Sequence, residues 1–109
     1  MDERLFKEYE KLRRILGDNL IEIEIVNNEV LVYVKNKVNL EGYKVLDAID
    51  YAREEIYNSL GTIVKEIKVK GNTLEVYVKD YTPQMFEIVA VIEYEVNKKF
   101  GTNIVVKII

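Results

Sequence analysis

Asp47, Asp50 and Glu54 stand three and then four positions apart, a spacing that on a helix turns all three carboxylates toward one side. Clustered carboxylate oxygens are the ligands that Mg²⁺ and Ca²⁺ take. The same pattern describes a solvated helix face whose acids pair with Lys44 and Arg53, and that plainer reading is the favoured one. Little other chemistry is on offer. The chain has no His and no Cys, which removes the commonest general base, the commonest metal ligand and the strongest nucleophile. Ser59 is the only serine and falls in the last turn of an expected helix, with no base nearby in the sequence. The five glycines, at 17, 42, 61, 71 and 101, are isolated, so no glycine-rich phosphate loop is present. These observations predict no catalytic residues, no metal, no cofactor and no enzyme.

What remains is a repeated pairing of aromatic and cation. Val32-Tyr33-Val34-Lys35 recurs as Val76-Tyr77-Val78-Lys79. Aromatic side chains beside cationic ones on an open sheet can stack bases and attract phosphate. They are also ordinary residues for a solvated strand face, where cross-strand contacts and Glu–Lys pairs stabilise the sheet.

The elements that would position these residues follow from periodicity. Residues 3–16 place Leu5, Phe6, Tyr9, Leu12, Ile15 and Leu16 at helical spacing, with Asp2 as N-cap and Gly17 as the stop. From Leu20 the period becomes two: Ile21, Ile23 and Ile25 alternate with Glu22 and Glu24, and Asn27-Asn28 turns the chain into Val30, Val32 and Val34. Asn39 is the expected cap of a second helix over residues 40–60, ended by Gly61. A second hairpin turns at Gly71-Asn72. Thr82-Pro83 opens a third helix, whose apolar set (Met85, Phe86, Ile88, Val89, Ile92, Val96, Phe100) is wide enough to make it the most buried of the three. Gly101 releases a final strand over 104–109. The reading is a single α+β domain over residues 1–109, in the order α-ββ-α-ββ-α-β. It has a five-stranded sheet with three helices packed on one face, right-handed crossovers, and a possible internal ββα duplication.

Strand alternation assigns Ile21, Ile23, Ile25, Val30, Val32, Val34, Ile67, Val69, Leu74, Val76, Val78, Ile104, Val106 and Ile108 to the helix-covered side. The opposite side is expected to be open. Its candidate binding residues are Leu31, Tyr33, Lys35, Lys68, Lys70, Tyr77, Lys79, Val105 and Lys107, accompanied by Glu22, Glu24, Glu66 and Glu75.

Charge narrows the partners. The formal net charge is −3, which opposes nonspecific nucleic-acid binding because that affinity comes largely from released counterions. No apolar run approaches the length that spans a bilayer, and Met1-Asp2-Glu3-Arg4 is unlike a signal peptide. The expected protein is soluble and cytoplasmic, with no membrane partner. Abundant Ile, Val, Lys, Glu and Tyr give a thermophile-like composition, which AT-rich codons would also favour.

The stretch Asn72–Ile109 resembles KH-type RNA-binding units in the order hairpin, helix, strand, over about a third of the chain. Those units clamp the nucleic-acid backbone with Gly-x-x-Gly at the helix entrance, where this chain has Tyr81-Thr82-Pro83-Gln84. The expected role is a non-catalytic module that binds a protein partner or forms a homo-oligomer, through the open sheet face or through Tyr43, Tyr51 and Tyr57 on a helix. Single-stranded RNA binding is the alternative. A third possibility is a designed scaffold without function, since caps, turns and patterning all agree.

Overall fold

A computed structural model describes residues 2–109. The chain forms two compact units, one ending at Asp47 and one beginning at Ala48.

In the first unit, helix α1 (Glu3–Leu16) starts where the Asp2 carboxylate accepts the Arg4 N–H at 2.9 Å and stops at Gly17. Gly17 has φ +57° and ψ −130°, a conformation essentially reserved for glycine. A 3-10 turn (Gly17–Asn19) leads into β1 (Leu20–Val26) and then β2 (Glu29–Val34). Asn27 and Asn28 both take positive φ, at 50° and 65°, as a tight hairpin turn demands. Leu12, Leu20, Ile23, Val30, Val32, Val34 and Val45 form the core, with Leu5, Leu16, Val38, Leu40 and Tyr43 packed against it.

The second unit contains α2 (Ala48–Leu60), a 3-10 turn (Gly61–Ile63) and two hairpin strands. A third helix and a last strand follow them. The short β3 (Lys44–Leu46) closes the first unit; the strands of the second are β4 (Val64–Lys70), β5 (Thr73–Val78) and β6 (Val105–Ile108), with α3 (Pro83–Phe100) between the last two. Helix α2 packs on α3, and α3 lies against β6. Met85, Val89, Ile92, Val96 and Phe100 are the buried stripe of α3.

The strands form two three-stranded sheets, β1-β2-β3 and β4-β5-β6, and not the single five-stranded sheet expected from periodicity. The α+β class stands. The sixth strand comes from the stretch read as the start of a helix over 40–60. Lys44–Leu46 runs parallel to β2, pairing Leu31 with Lys44, Val32 with Val45 and Tyr33 with Leu46, and the helix begins only at Ala48. Gly42, at φ +87°, was the contrary signal: it sits where an uninterrupted helix would need a right-handed residue. Asn39 accordingly caps no helix and lies exposed in the connecting loop. At α3, Thr82 supplies the extended entry residue and Pro83 the first turn, but the Thr82 hydroxyl makes no capping hydrogen bond.

The repeat is also framed differently. Each unit runs helix, 3-10 turn, hairpin, connection and parallel third strand, so α2 corresponds to α1 and not to α3. Lys35 N–H donates to Asn19 O at 3.0 Å, and its counterpart Lys79 N–H donates to Ile63 O at 2.9 Å. Both first strands carry a bulge at the same place, between Leu20 and Glu22 and between Val64 and Glu66. The bulge removes one residue from the alternation. Leu20 and Val64 therefore enter the core, and Ile21, expected there, is only partly buried. The units differ in the connection: residues 35–43 cross from β2 to β3 as a loop, whereas α3 makes the crossing from β5 to β6.

Candidate interaction surface

The nine candidate residues belong to two sheets and not to the single sheet expected. Leu31 and Tyr33 lie on β2, with Lys35 just beyond it, while Lys68, Lys70, Tyr77, Lys79, Val105 and Lys107 belong to the second unit. Tyr33 is only 3% exposed, so it offers no open stacking platform. Leu31 is partly buried and Lys35 is exposed.

In the second unit, the pairing of β4, β5 and β6 places residues in cross-strand rows. Lys68, Glu75 and Lys107 form one row, and Lys70, Thr73 and Val105 the next. Lys79 is exposed beyond the end of β5. Two of these cations, Lys68 and Lys70, are answered by carboxylates on the same face. Lys70 Nζ lies 3.3 Å from Glu75 Oε1, and Lys68 Nζ lies 3.7 Å from Glu66 Oε1. The Tyr77 hydroxyl donates to Glu75 Oε1 at 3.3 Å, and the Lys68 ammonium stands 5.1 Å above the Tyr77 ring. The ring that could stack a base is thus already covered by a lysine. The Lys70–Glu75 pair crosses from β4 to β5 and the Lys68–Glu66 pair runs along β4, with Glu75 shared by Lys70 and Tyr77.

Of the three tyrosines expected on a helix, Tyr51 and Tyr57 lie on α2 and Tyr43 does not. Tyr43 lies in the loop between β2 and β3, and its hydroxyl donates to Glu8 Oε2 at 2.6 Å. That bond, followed by burial, holds the phenol protonated above its ordinary value of 10.0. A polar interaction with the Tyr43 phenol, and then the Glu8 charge, raise the Lys11 ammonium as well. Tyr51 meets the Phe100 ring at 5.6 Å, and Tyr57 is exposed.

A different surface emerges on α3. Phe86, expected in the core, is 53% exposed, and Tyr81, Val91 and Tyr94 are exposed with it. The Tyr81 and Phe86 rings lie parallel, with centroids 6.5 Å apart. Phe86, Ala90 and Tyr94 succeed one another at four-residue spacing and make a ridge along the helix. Helix α3 is therefore apolar on two sides. The stripe of Met85, Val89, Ile92 and Val96 saturates the inner side, which leaves Phe86, Val91 and Tyr94 outside. The signal was an apolar set wider than a single buried stripe requires.

Beside this ridge runs a groove of about 350 Å³. Phe86, Val89 and Ala90 form one wall, and Val106, Ile108 and Ile109 form the other, with Glu93 and Lys107 at its margins. Strand β6 is the edge of its sheet, paired only with β5 among the described residues. Val105 and Ile109 donate their N–H groups to Asn72 O and Val76 O on the β5 side. By alternation, Val106 and Ile108 direct their backbone groups outward. The Val106 N–H is met there by Glu93 Oε2 at 3.3 Å.

Among the described residues, no group of three or more carboxylates gathers as a metal site, and no helix is long and apolar enough to cross a membrane. No known protein-family model matches this sequence, and no curated protein matches it.

Proposed function

We propose that this chain is a non-catalytic protein-interaction module, working through the outward side of α3 and the adjoining groove along β6. The observation that carries this reading is the exposure of Phe86, Val91 and Tyr94 on one helix, with Tyr81 stacked on Phe86. Burying such residues contributes about 25 cal/mol per Å² of apolar area removed from water, and aromatic side chains are enriched at interfaces. A single exposed apolar residue is ordinary, but a ridge of them beside an open groove supports the reading of an interaction surface. The hairpin part of the second sheet's outer face is a poorer candidate, since Lys68 and Lys70 are matched by Glu66 and Glu75 and Tyr77 is covered by Lys68.

The test replaces Phe86 with a photo-crosslinking phenylalanine analogue and, separately, introduces Phe86→Glu with Tyr94→Glu. A crosslinked polypeptide is expected at position 86 and not at exposed Lys79. If the partner is a second copy, light scattering should show a mass above the 12.8 kDa monomer that the double variant reduces. A monomer at high concentration that also crosslinks to nothing would overturn the proposal.

A further inference from the structure

We infer that the groove along β6 receives an extended peptide segment that adds a strand to the edge of the second sheet, with apolar side chains against α3 and a carboxylate opposite Lys107. This rests on the proposed interaction role and specifies its binding mode.

Strand addition needs a row of outward backbone groups and a surface for alternate side chains. Both are present. Val106 and Ile108 turn their backbone groups away from β5, and the one outward N–H with a partner, that of Val106, is held only by the Glu93 side chain at 3.3 Å. That length is long for a bond to a carboxylate, so an incoming carbonyl can take its place. On the helix side of the edge, Phe86, Val89 and Ala90 continue the apolar wall beyond Ile108. Every second side chain of an added strand would land there.

Charge selects the other side chains. The row across the sheet reads Lys68, Glu75, Lys107, and an added strand extends it by one position beyond Lys107. A carboxylate there continues the alternation of sign, whereas a lysine would face a like charge. The same logic excludes the simplest self-pairing. An antiparallel β6–β6 contact made through Val106 and Ile108 sets Lys107 directly against the Lys107 of the second copy. The favoured occupant is thus a separate polypeptide segment that alternates apolar and acidic residues.

The probe is a short fluorescein-labelled peptide alternating valine and glutamate, with its valine–lysine counterpart as control, followed by fluorescence anisotropy at low ionic strength. The acidic peptide should bind at least about ten-fold more tightly than the basic one. Lys107→Glu, at an exposed position, should reverse that preference, and N-methylation of alternate peptide amides should abolish binding. Equal affinity for the two peptides, a preference that Lys107→Glu leaves unchanged, or no binding of the acidic peptide at millimolar concentration would each overturn the inference. Self-association that displaces the peptide as protein concentration rises would overturn it in favour of a second copy. Crosslinking at Phe86 that persists when the peptides fail would discard strand addition alone; loss of both would discard the interaction role too.

Discussion

The Tyr43 hydroxyl donates to Glu8 Oε2 at 2.6 Å, tying the loop between β2 and β3 to α1. A hydrogen bond to a charged acceptor contributes about 1.5–3 kcal/mol when it is shielded from water, and this one is only partly buried. Tyr43→Phe should therefore cost about 1–2 kcal/mol, read as a lower urea midpoint. The bond also sets a pH dependence. Because the folded phenol titrates above its ordinary value of 10.0, its contribution is complete below that pH and is lost as pH rises through the folded value. Wild type should lose stability on that alkaline limb more steeply than Tyr43→Phe, and the difference in tyrosinate absorbance between the two should titrate above pH 10.0.

Two helix-ending glycines should respond unequally to alanine. Gly17 has φ +57° and ψ −130°, outside the left-handed helical basin, whereas Gly101 lies within it at φ 66° and ψ 36°. Neither site would crowd an added Cβ, so backbone strain alone decides. Gly101→Ala should cost about 1 kcal/mol and Gly17→Ala about 2–3 kcal/mol, measured by chemical denaturation. Equal costs would refute the assignment of strain.

Size and stability should run in opposite order at Leu74 and Phe86. Leu74 is fully buried, and Leu74→Ala should cost about 2–5 kcal/mol through lost burial and the cavity left behind. Phe86→Ala removes a larger side chain that is 53% exposed and should cost less than about 1 kcal/mol. Thermal unfolding of the two variants checks this directly.

Glu75 restrains the cations of the second sheet. Glu75→Gln frees Lys70 from its ion pair and raises the positive potential of that face. Wild type should show little affinity for single-stranded RNA at physiological salt, and the variant should bind more tightly, with an affinity that falls as salt rises. Strong wild-type binding that Lys68→Glu and Lys70→Glu weaken would instead favour the nucleic-acid role.

Local signals carried much of the fold. The two hairpins, the helix stops at Gly17 and Gly101 and the start of α3 at Pro83 follow from turn chemistry and periodicity confined to a few residues. Pairing between distant segments was less accessible. Lys44–Leu46 is three residues long and gains its strand character from lying beside β2, so a helical pattern running through Leu46 and Ile49 obscured it. The bulges could not be read from alternation either, because Leu20 and Ile21 are both apolar and either could occupy the core position. In the second unit the same choice was legible: Val64-Lys65 names its buried member. Tyr33 and Tyr77 are identical in local sequence, yet one is buried and the other is not, a difference that strand alternation alone cannot express.

The connection from β2 to β3 needs only residues 35–43, while the corresponding step from β5 to β6 carries all of α3. A three-stranded unit of this kind is thus closed by its outer strand whatever route the chain takes to reach it. The segment after the hairpin therefore differs between the units without a change of strand order, and in the second unit it is a helix with two apolar sides.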